Sequence, residues 1–304
     1  MIKKYIIPFL ILPIGVLLGS CEDFFLKDID VDDLPPYEKI MVVQGFISPQ
    51  QDSIKIALKF TLPTWGLRNQ PLSEEDQLAL RSAVVTLKDE ERSVSIPYVE
   101  AQGVYAISQE EFPLQEGTRY ELTVERETQR LTASCEIPKS NNTLVISLSE
   151  REKENDPQYG YEPQYLRLTW EDTKDQVNYY NAYAYKNEYY TYYDELGNET
   201  QQAYQQRLTY SEGYTSDYLS DGRWLEVEVN YYGYGEGEIK GVLYSVDEHY
   251  YEYHQSVYNY TGDNPFAEPQ NIYTNVEGDG TGIFCAYSYD STAIPTIEVE
   301  GVEN

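Results

Sequence analysis

Leu114-Gln115-Glu116-Gly117-Thr118-Arg119-Tyr120 is the stretch on which the fold turns. A Leu is followed by Gly three residues on, and by Tyr three residues after that. Gly gives the backbone the freedom that a tight corner needs. The Tyr then opens an alternating run, Tyr120-Glu121-Leu122-Thr123-Val124, as a half-buried strand requires. A Tyr so placed can turn its hydroxyl back onto the backbone of the corner just before it, the arrangement called a tyrosine corner. Tyr120 is therefore read as a structural residue.

Short apolar runs broken by turn residues lie on both sides of this corner. Downstream, Leu131 to Ile137 supplies a return strand. Upstream, Ile40 to Ile47 and Ser53 to Phe60 read as strands, the second with clear polar–apolar alternation. Leu72 to Arg81 is a polar connection with room for a helical turn or two from Ser73. Strands resume at Ala83 to Lys88, Ser93 to Tyr98 and Gly103 to Ile107, with Asp89-Glu90-Glu91 as the turn between the first two. About seven short strands at this spacing predict an immunoglobulin-like β-sandwich over residues 37–138. Pro138-Lys139-Ser140-Asn141-Asn142 is a polar, turn-rich boundary.

Residues 143–304 are expected to form a second, Tyr-rich sandwich of fibronectin type III flavour. Its strands are Leu144 to Leu148, Leu166 to Trp170 and Val177 to Tyr185, with a charged loop from Ser149 to Gln164. Ser245-Val246-Asp247-Glu248 has the form of a capping box, with the Ser hydroxyl on the amide three residues on. Val246, Tyr250, Tyr253, Val257 and Tyr260 then recur at helical spacing, so a helix near 246–260 should lay that stripe on the sheet and stop at Thr261-Gly262. The fold class is predominantly all-β: two tandem β-sandwich domains, the second carrying one packed C-terminal helix. Ile283 to Tyr289 reads as a strand returning to the sheet, entered through Asn264-Pro265-Phe266-Ala267-Glu268-Pro269, where Phe266 can plug into the core.

Of the 32 Tyr in the chain, most fall between Tyr159 and Tyr260. Two readings stay open for them. Tyr has an apolar ring with a polar tip, so cross-strand ladders on half-wet sheet faces explain the enrichment. An aromatic platform for a glycan or peptide, or a protein interface, explains it as well. The candidate ligand-binding residues are Tyr189, Tyr190, Tyr192 and Tyr193 in one run and Tyr231, Tyr232 and Tyr234, beside Gly233, Gly235 and Gly237, in another.

The N-terminus addresses location. Lys3 and Lys4 precede an apolar run from Tyr5 to Leu18 that contains Pro8, Pro13 and Gly15. At about 14 residues this run is short of the roughly 20 that span a bilayer. Leu17-Leu18-Gly19-Ser20-Cys21 reads as a lipobox, making residues 1–20 a lipoprotein signal peptide and Cys21 the lipidated residue. Several acyl chains, at about 0.8 kcal/mol per buried methylene, anchor a soluble domain to a membrane. Residues 21–36 form an acidic tether (Glu22, Asp23, Asp28, Asp30, Asp32, Asp33) ending in the stiff Leu34-Pro35-Pro36. Acidic residues directly after a lipidated Cys resemble the surface-export signal of Bacteroidetes lipoproteins. The resemblance implies the outer face of the outer membrane.

A formal net charge of −30 argues against nucleic acid and anionic headgroups as partners. The chain has no nucleophile elbow, zinc motif or phosphate loop, and no cofactor or metal is expected. Acidic pairs are numerous because 52 residues are Asp or Glu, which is not a glycosidase signal by itself. Asp28 to Asp33, or Glu277 with Asp279, offer oxygen ligands for calcium, but a charged tether and a turn explain them better. His249 and His254, five apart on a helix, do not share a face as zinc ligands and are read as helix-surface residues. Cys135 and Cys285 are read as small apolar groups, with a disulfide between the halves as the other reading.

The run of motifs resembles one family as a whole. A Tyr-rich helix, the Asn264 to Pro269 segment, the turn Tyr273-Thr274-Asn275-Val276-Glu277-Gly278 and the strand Gly282-Ile283-Phe284 are similar to the C-terminal half of Bacteroidetes lipoproteins of the domain of unknown function 4249 family. The lipobox, Val42-Val43-Gln44-Gly45 and the tyrosine corner fit the N-terminal half. Cys285-Ala286 and the Tyr content depart from that pattern. The resemblance implies an outer-membrane lipoprotein, commonly encoded beside TonB-dependent outer-membrane transporters, and carries over no catalytic residue. The expected function is thus non-enzymatic: a surface lipoprotein that captures ligand for, or docks on, such a barrel. The other reading is a structural or adhesive protein that binds a glycan or another protein.

Overall fold

The computed structural model describes residues 39–61, 80–149, 164–193, 197–209, 213–231, 237–260, 271–292 and 294–299. In the first half the strands are β1 (Met41–Ile47), β2 (Ser53–Phe60), β3 (Val84–Lys88), β4 (Ser93–Ile96), β5 (Tyr98–Val99), β6 (Val104–Ser108), β7 (Arg119–Arg126) and β8 (Gln129–Glu136). Alternation sets their faces. Strand β2 buries Ile54, Ile56 and Leu58 and turns Lys55 and Lys59 to solvent; β7 buries Tyr120, Leu122 and Val124. The tyrosine corner forms as expected: the Gln115 amide donates to the Tyr120 hydroxyl at 2.9 Å, and Gly117 sits at φ +72°. The polar connection 72–81 and Phe266 lie outside the described residues, apart from Leu80 and Arg81.

The second half contributes β9 (Val145–Ser149), β10 (Gln164–Glu171), β11 (Tyr179–Tyr193), β12 (Glu199–Arg207), β13 (Tyr214–Ser216), β14 (Trp224–Tyr231), β15 (Gly237–Val246), α1 (Glu248–Tyr258), β16 (Glu277–Gly278), β17 (Gly280–Ser288) and β18 (Thr296–Val299). One ten-stranded sheet has the order β12-β11-β15-β17-β1-β2-β6-β5, with β13 beside β11 and β18 beside β15. The other two sheets are β16-β8-β7-β3-β4 and β14-β10-β9. One core holds Met41, Val43, Ile56, Tyr105, Tyr120 and Leu131; a second holds Leu166, Leu168, Trp170, Tyr180, Ile239 and Leu243. The protein is all-β with sandwich cores and one described helix.

The sandwiches are not closed separately. Strand β17 runs parallel to β1, from Met41 opposite Gly280 to Ile47 opposite Ala286. Its last residues pair antiparallel with β15, Ser288 opposite Ser245 and Tyr287 opposite Val246. Strand β16 pairs with β8. So β16 and β17, from the C-terminal segment, complete the first sandwich, an exchange that the reading of 37–138 and 143–304 as successive bodies does not foresee. Phe284 enters the first core, and Gly45 makes room for it: a Cβ at Gly45 would lie 2.9 Å from the Phe284 ring and 2.7 Å from Ile56. Asn275 fixes the same place. Its side chain accepts the Phe284 amide at 3.0 Å and donates to the Phe284 carbonyl at 2.7 Å and the Ser134 carbonyl at 3.0 Å. Cys135 and Cys285 are both buried free thiols.

Candidate functional site

The helix starts later than its sequence suggests. Ser245 and Val246 complete β15, and Asp247 is the N-cap: its Oδ1 accepts the Tyr250 amide at 2.8 Å. The strand ladder claims Ser245 before it can cap. The helix ends at Tyr258, with the Asn259 amide bonding back to the Gln255 carbonyl, ahead of Thr261-Gly262, which lies outside the described residues. The packed face is made by buried Tyr250 and half-buried Tyr253 and His254, whereas Val257 and Tyr260 are exposed.

His254 is therefore half-buried under aromatic rings rather than free on the helix surface. Its ring stacks on Tyr214 at 4.9 Å and lies 4.5 Å from Tyr250 and 5.8 Å from Phe46. Burial, with Arg207 nearby, pushes its pKa down to about 4. His249 is half-buried and meets the Tyr273 hydroxyl through Nδ1 at 2.8 Å. One face of β11 joins this layer: Tyr179 lies 5.1 Å from Tyr251, and the Tyr183 and Tyr244 hydroxyls meet at 2.9 Å. The opposite face, Tyr180, Ala182 and Ala184, enters the second core. These tyrosines behave as a packed ladder covered by α1 and flanked within the sheet by Tyr287 of β17, 4.6 Å from Tyr244.

The candidate platform residues lie elsewhere. Tyr189, Tyr190, Tyr192 and Tyr193 occupy the far end of β11, opposite Ala203, Gln202, Thr200 and Glu199 of β12. Tyr193 is exposed. Tyr231 ends β14, opposite Gln164 in a different sheet. Tyr232 and Tyr234 lie outside the described residues, as do Cys21 and the tether acids. Asp279, the C-terminal calcium candidate, accepts the Arg130 amide at 2.9 Å and so holds a turn; Glu277 is exposed.

A feature without a simple motif joins two loops at one end of the second core. The loop after β10 supplies Asp172, and the loop between β13 and β14 supplies Asp217 and Asp221; their carboxylate oxygens lie within 4.8 Å of one another. Asp172 accepts the Tyr180 hydroxyl at 2.8 Å and the Gly222 amide at 2.7 Å. Asp217 accepts the Asn178 amide at 3.0 Å, and Asp221 the Asp175 amide at 2.8 Å. A hard cation could use such an oxygen set; here each carboxylate laces one loop to the other. Burial raises Asp217 from its ordinary value and, with the Asp172 bond, Tyr180 up to about 12.

The laced loops carry apolar side chains outward. Tyr218 is 81% exposed, Leu219 86% and Val177 60%, and Trp224, 61% exposed, opens β14 at their foot. Adjacent exposed apolar groups on rigidly held loops mark an interaction surface. The sequence signal is Asp217-Tyr218-Leu219-Ser220-Asp221-Gly222, an apolar pair inside a turn. Next to Val177 and Asn178 opens a cleft of about 550 Å³, lined among others by Arg119, Ser134, Glu136, Asp247 and His249. Asp247 is nearly fully buried there; burial pushes it up to about 7 against the pull of the Tyr250, Ala286 and Glu136 amides.

No curated protein matches the chain. Among solved structures, a segment of two fibronectin type III domains from chicken tenascin is similar at 11% identity, covering 68% of this chain and 91% of its own, with a TM-score of 0.19. Salmonella alpha-2-macroglobulin is similar at 8% identity over 87% of this chain and 16% of its own, with a TM-score of 0.25. The family described as domain of unknown function DUF4249 matches residues 27–293. With that match spanning the described strands from β1 to β17, the chain belongs to the DUF4249 family.

Proposed function

We propose that the protein is a non-enzymatic lipoprotein anchored through Cys21 on the outer face of the outer membrane, where it serves a TonB-dependent transporter by docking on the barrel or presenting ligand to it. One observation carries this reading: the exposed apolar tip of Tyr218, Leu219, Val177 and Trp224 on loops held by buried carboxylates. A tip that protrudes suits a protein partner better than a small ligand, which favours concave sites. The lipobox, the acidic tether and the resemblance to lipoproteins commonly encoded beside TonB-dependent transporters support this location.

Mild-detergent purification of the tagged, lipidated protein from its native outer membrane tests it. The expected result is co-purification of a barrel in near-equal amount, lost when Tyr218→Ser and Leu219→Ser are combined. Recovery of the lipoprotein alone, with its anchor intact, would replace this reading by the adhesive one, with glycan-array binding as its test.

A further inference from the structure

We propose that β12 is a self-association edge, through which two copies of this chain join their ten-stranded sheets antiparallel about a two-fold axis at Ala203. Strand β12 pairs with β11 along all nine residues, from Tyr185 opposite Arg207 to Tyr193 opposite Glu199. It ends the sheet order, and among the described residues no strand pairs with its other edge. Natural sheets protect such edges with short strands, Lys, Pro or bulges. The opposite end of this sheet follows that rule: β5 has two residues and is preceded by Pro97. The outer strand β14 carries Glu226 and Glu228, both held by Arg167. Strand β12, Glu-Thr-Gln-Gln-Ala-Tyr-Gln-Gln-Arg, has no Pro, no Lys and an unbroken register.

The sequence of this edge selects the occupant. In an antiparallel pair, residues directly opposite point to the same face. A two-fold axis normal to the sheet therefore has to set one residue against its own copy. Ala203 is the midpoint of Glu199–Arg207, so an axis there pairs the whole strand. Glu199 then faces the copy's Arg207, Thr200 faces Gln206, Gln201 faces Gln205 and Gln202 faces Tyr204. No like charges meet, and the axis falls at Ala203, the smallest residue of the strand. The chain carries a formal −30, which drives copies apart over most of the surface. The nine residues of β12 are formally neutral. Arg207 keeps its place over the Tyr183 ring, 5.2 Å from its centre, so only the sign of its charge enters the pairing.

The register makes the proposal testable in the full-length chain carrying Cys21→Ser, since Cys135 and Cys285 are buried. Copies of residue 203 would lie about 5 Å apart between Cα atoms. Copies of residue 205 would be separated by four residues, about 14 Å. Ala203→Cys should form a disulfide-linked dimer under mild oxidation, at least tenfold faster than Gln205→Cys. Sedimentation should show a reversible dimer that tightens as salt screens the net charge. Gln201→Lys with Gln205→Lys places like charges opposite each other twice and should weaken the dimer at least tenfold with an unchanged melting temperature. Gln201→Lys with Gln205→Glu should restore it. A monomer at all concentrations in high salt, equal cross-linking at 203 and 205, or no difference between the two charge pairs would overturn the proposal.

Discussion

Asp247 and His254 sit seven residues apart around α1 and respond to pH in opposite senses. Burial holds the folded Asp247 carboxyl at about 7, against an ordinary value of 3.8. Between those values the folded chain keeps a proton that the unfolded chain has released, so this residue's contribution to stability declines as pH rises. Burial holds His254 at about 4 against 6.5. Between those values the unfolded chain takes a proton that the folded chain refuses, so this contribution declines as pH falls. The two windows overlap and the slopes oppose. Asp247→Asn keeps a capping side chain and should leave a melting temperature that drops on acidification from about pH 6.5 to about 4.5. His254→Phe should leave one that drops as pH rises through the same range. Parallel pH profiles for the two variants would contradict this assignment.

At the scale of elements, Asn275 shows how a short turn becomes part of a sheet. Its amide group bonds both backbone groups of Phe284 and reaches β8 through Ser134. Asn275→Ala removes three hydrogen bonds and leaves buried backbone groups without partners. At roughly 1 kcal/mol for each bond, with an added penalty for orphaned groups, it should cost about 2–4 kcal/mol in urea unfolding. A loss below about 0.5 kcal/mol would mean that water replaces the amide fully. Elements differ in how well the sequence announces them. Strand β2 is legible to the residue because Ile54, Ile56 and Leu58 alternate with Lys55 and Lys59. The start of α1 is not, because Ser245-Val246-Asp247-Glu248 offers two capping side chains and only strand pairing decides between them. The carboxylate lacing was hidden for another reason. Asp172 and Asp217 come from loops that are brought together by strands β10, β11, β13 and β14.

For the whole molecule, the pairing of β1 with β17 dominates. Phe284 fills the core that Gly45 leaves open, yet nearly the whole chain separates them. Pairing over such a separation is paid for by loop closure before it returns contacts, so folding of the first sandwich should be slow. It also makes a fragment incomplete. Residues 37–142 alone should melt without cooperativity, and a peptide covering 271–290 should restore a cooperative melt. Cooperative unfolding of the fragment without the peptide would show that β17 is dispensable. The tyrosine corner and the alternating strands were readable because they are local. The shared sheet was not, because neither β1 nor β17 carries a mark that names its partner.

Strand β1 is also the first strand of the described fold. It is flanked along its length by β17 on one side and β2 on the other. Under the anchoring through Cys21 proposed above, tension on the chain ahead of β1 would pull that strand lengthwise between its neighbours. Such a load is shared as shear by many rungs at once instead of unzipping them one by one. Strand β17 thus acts as a mechanical clamp on the strand that takes the strain.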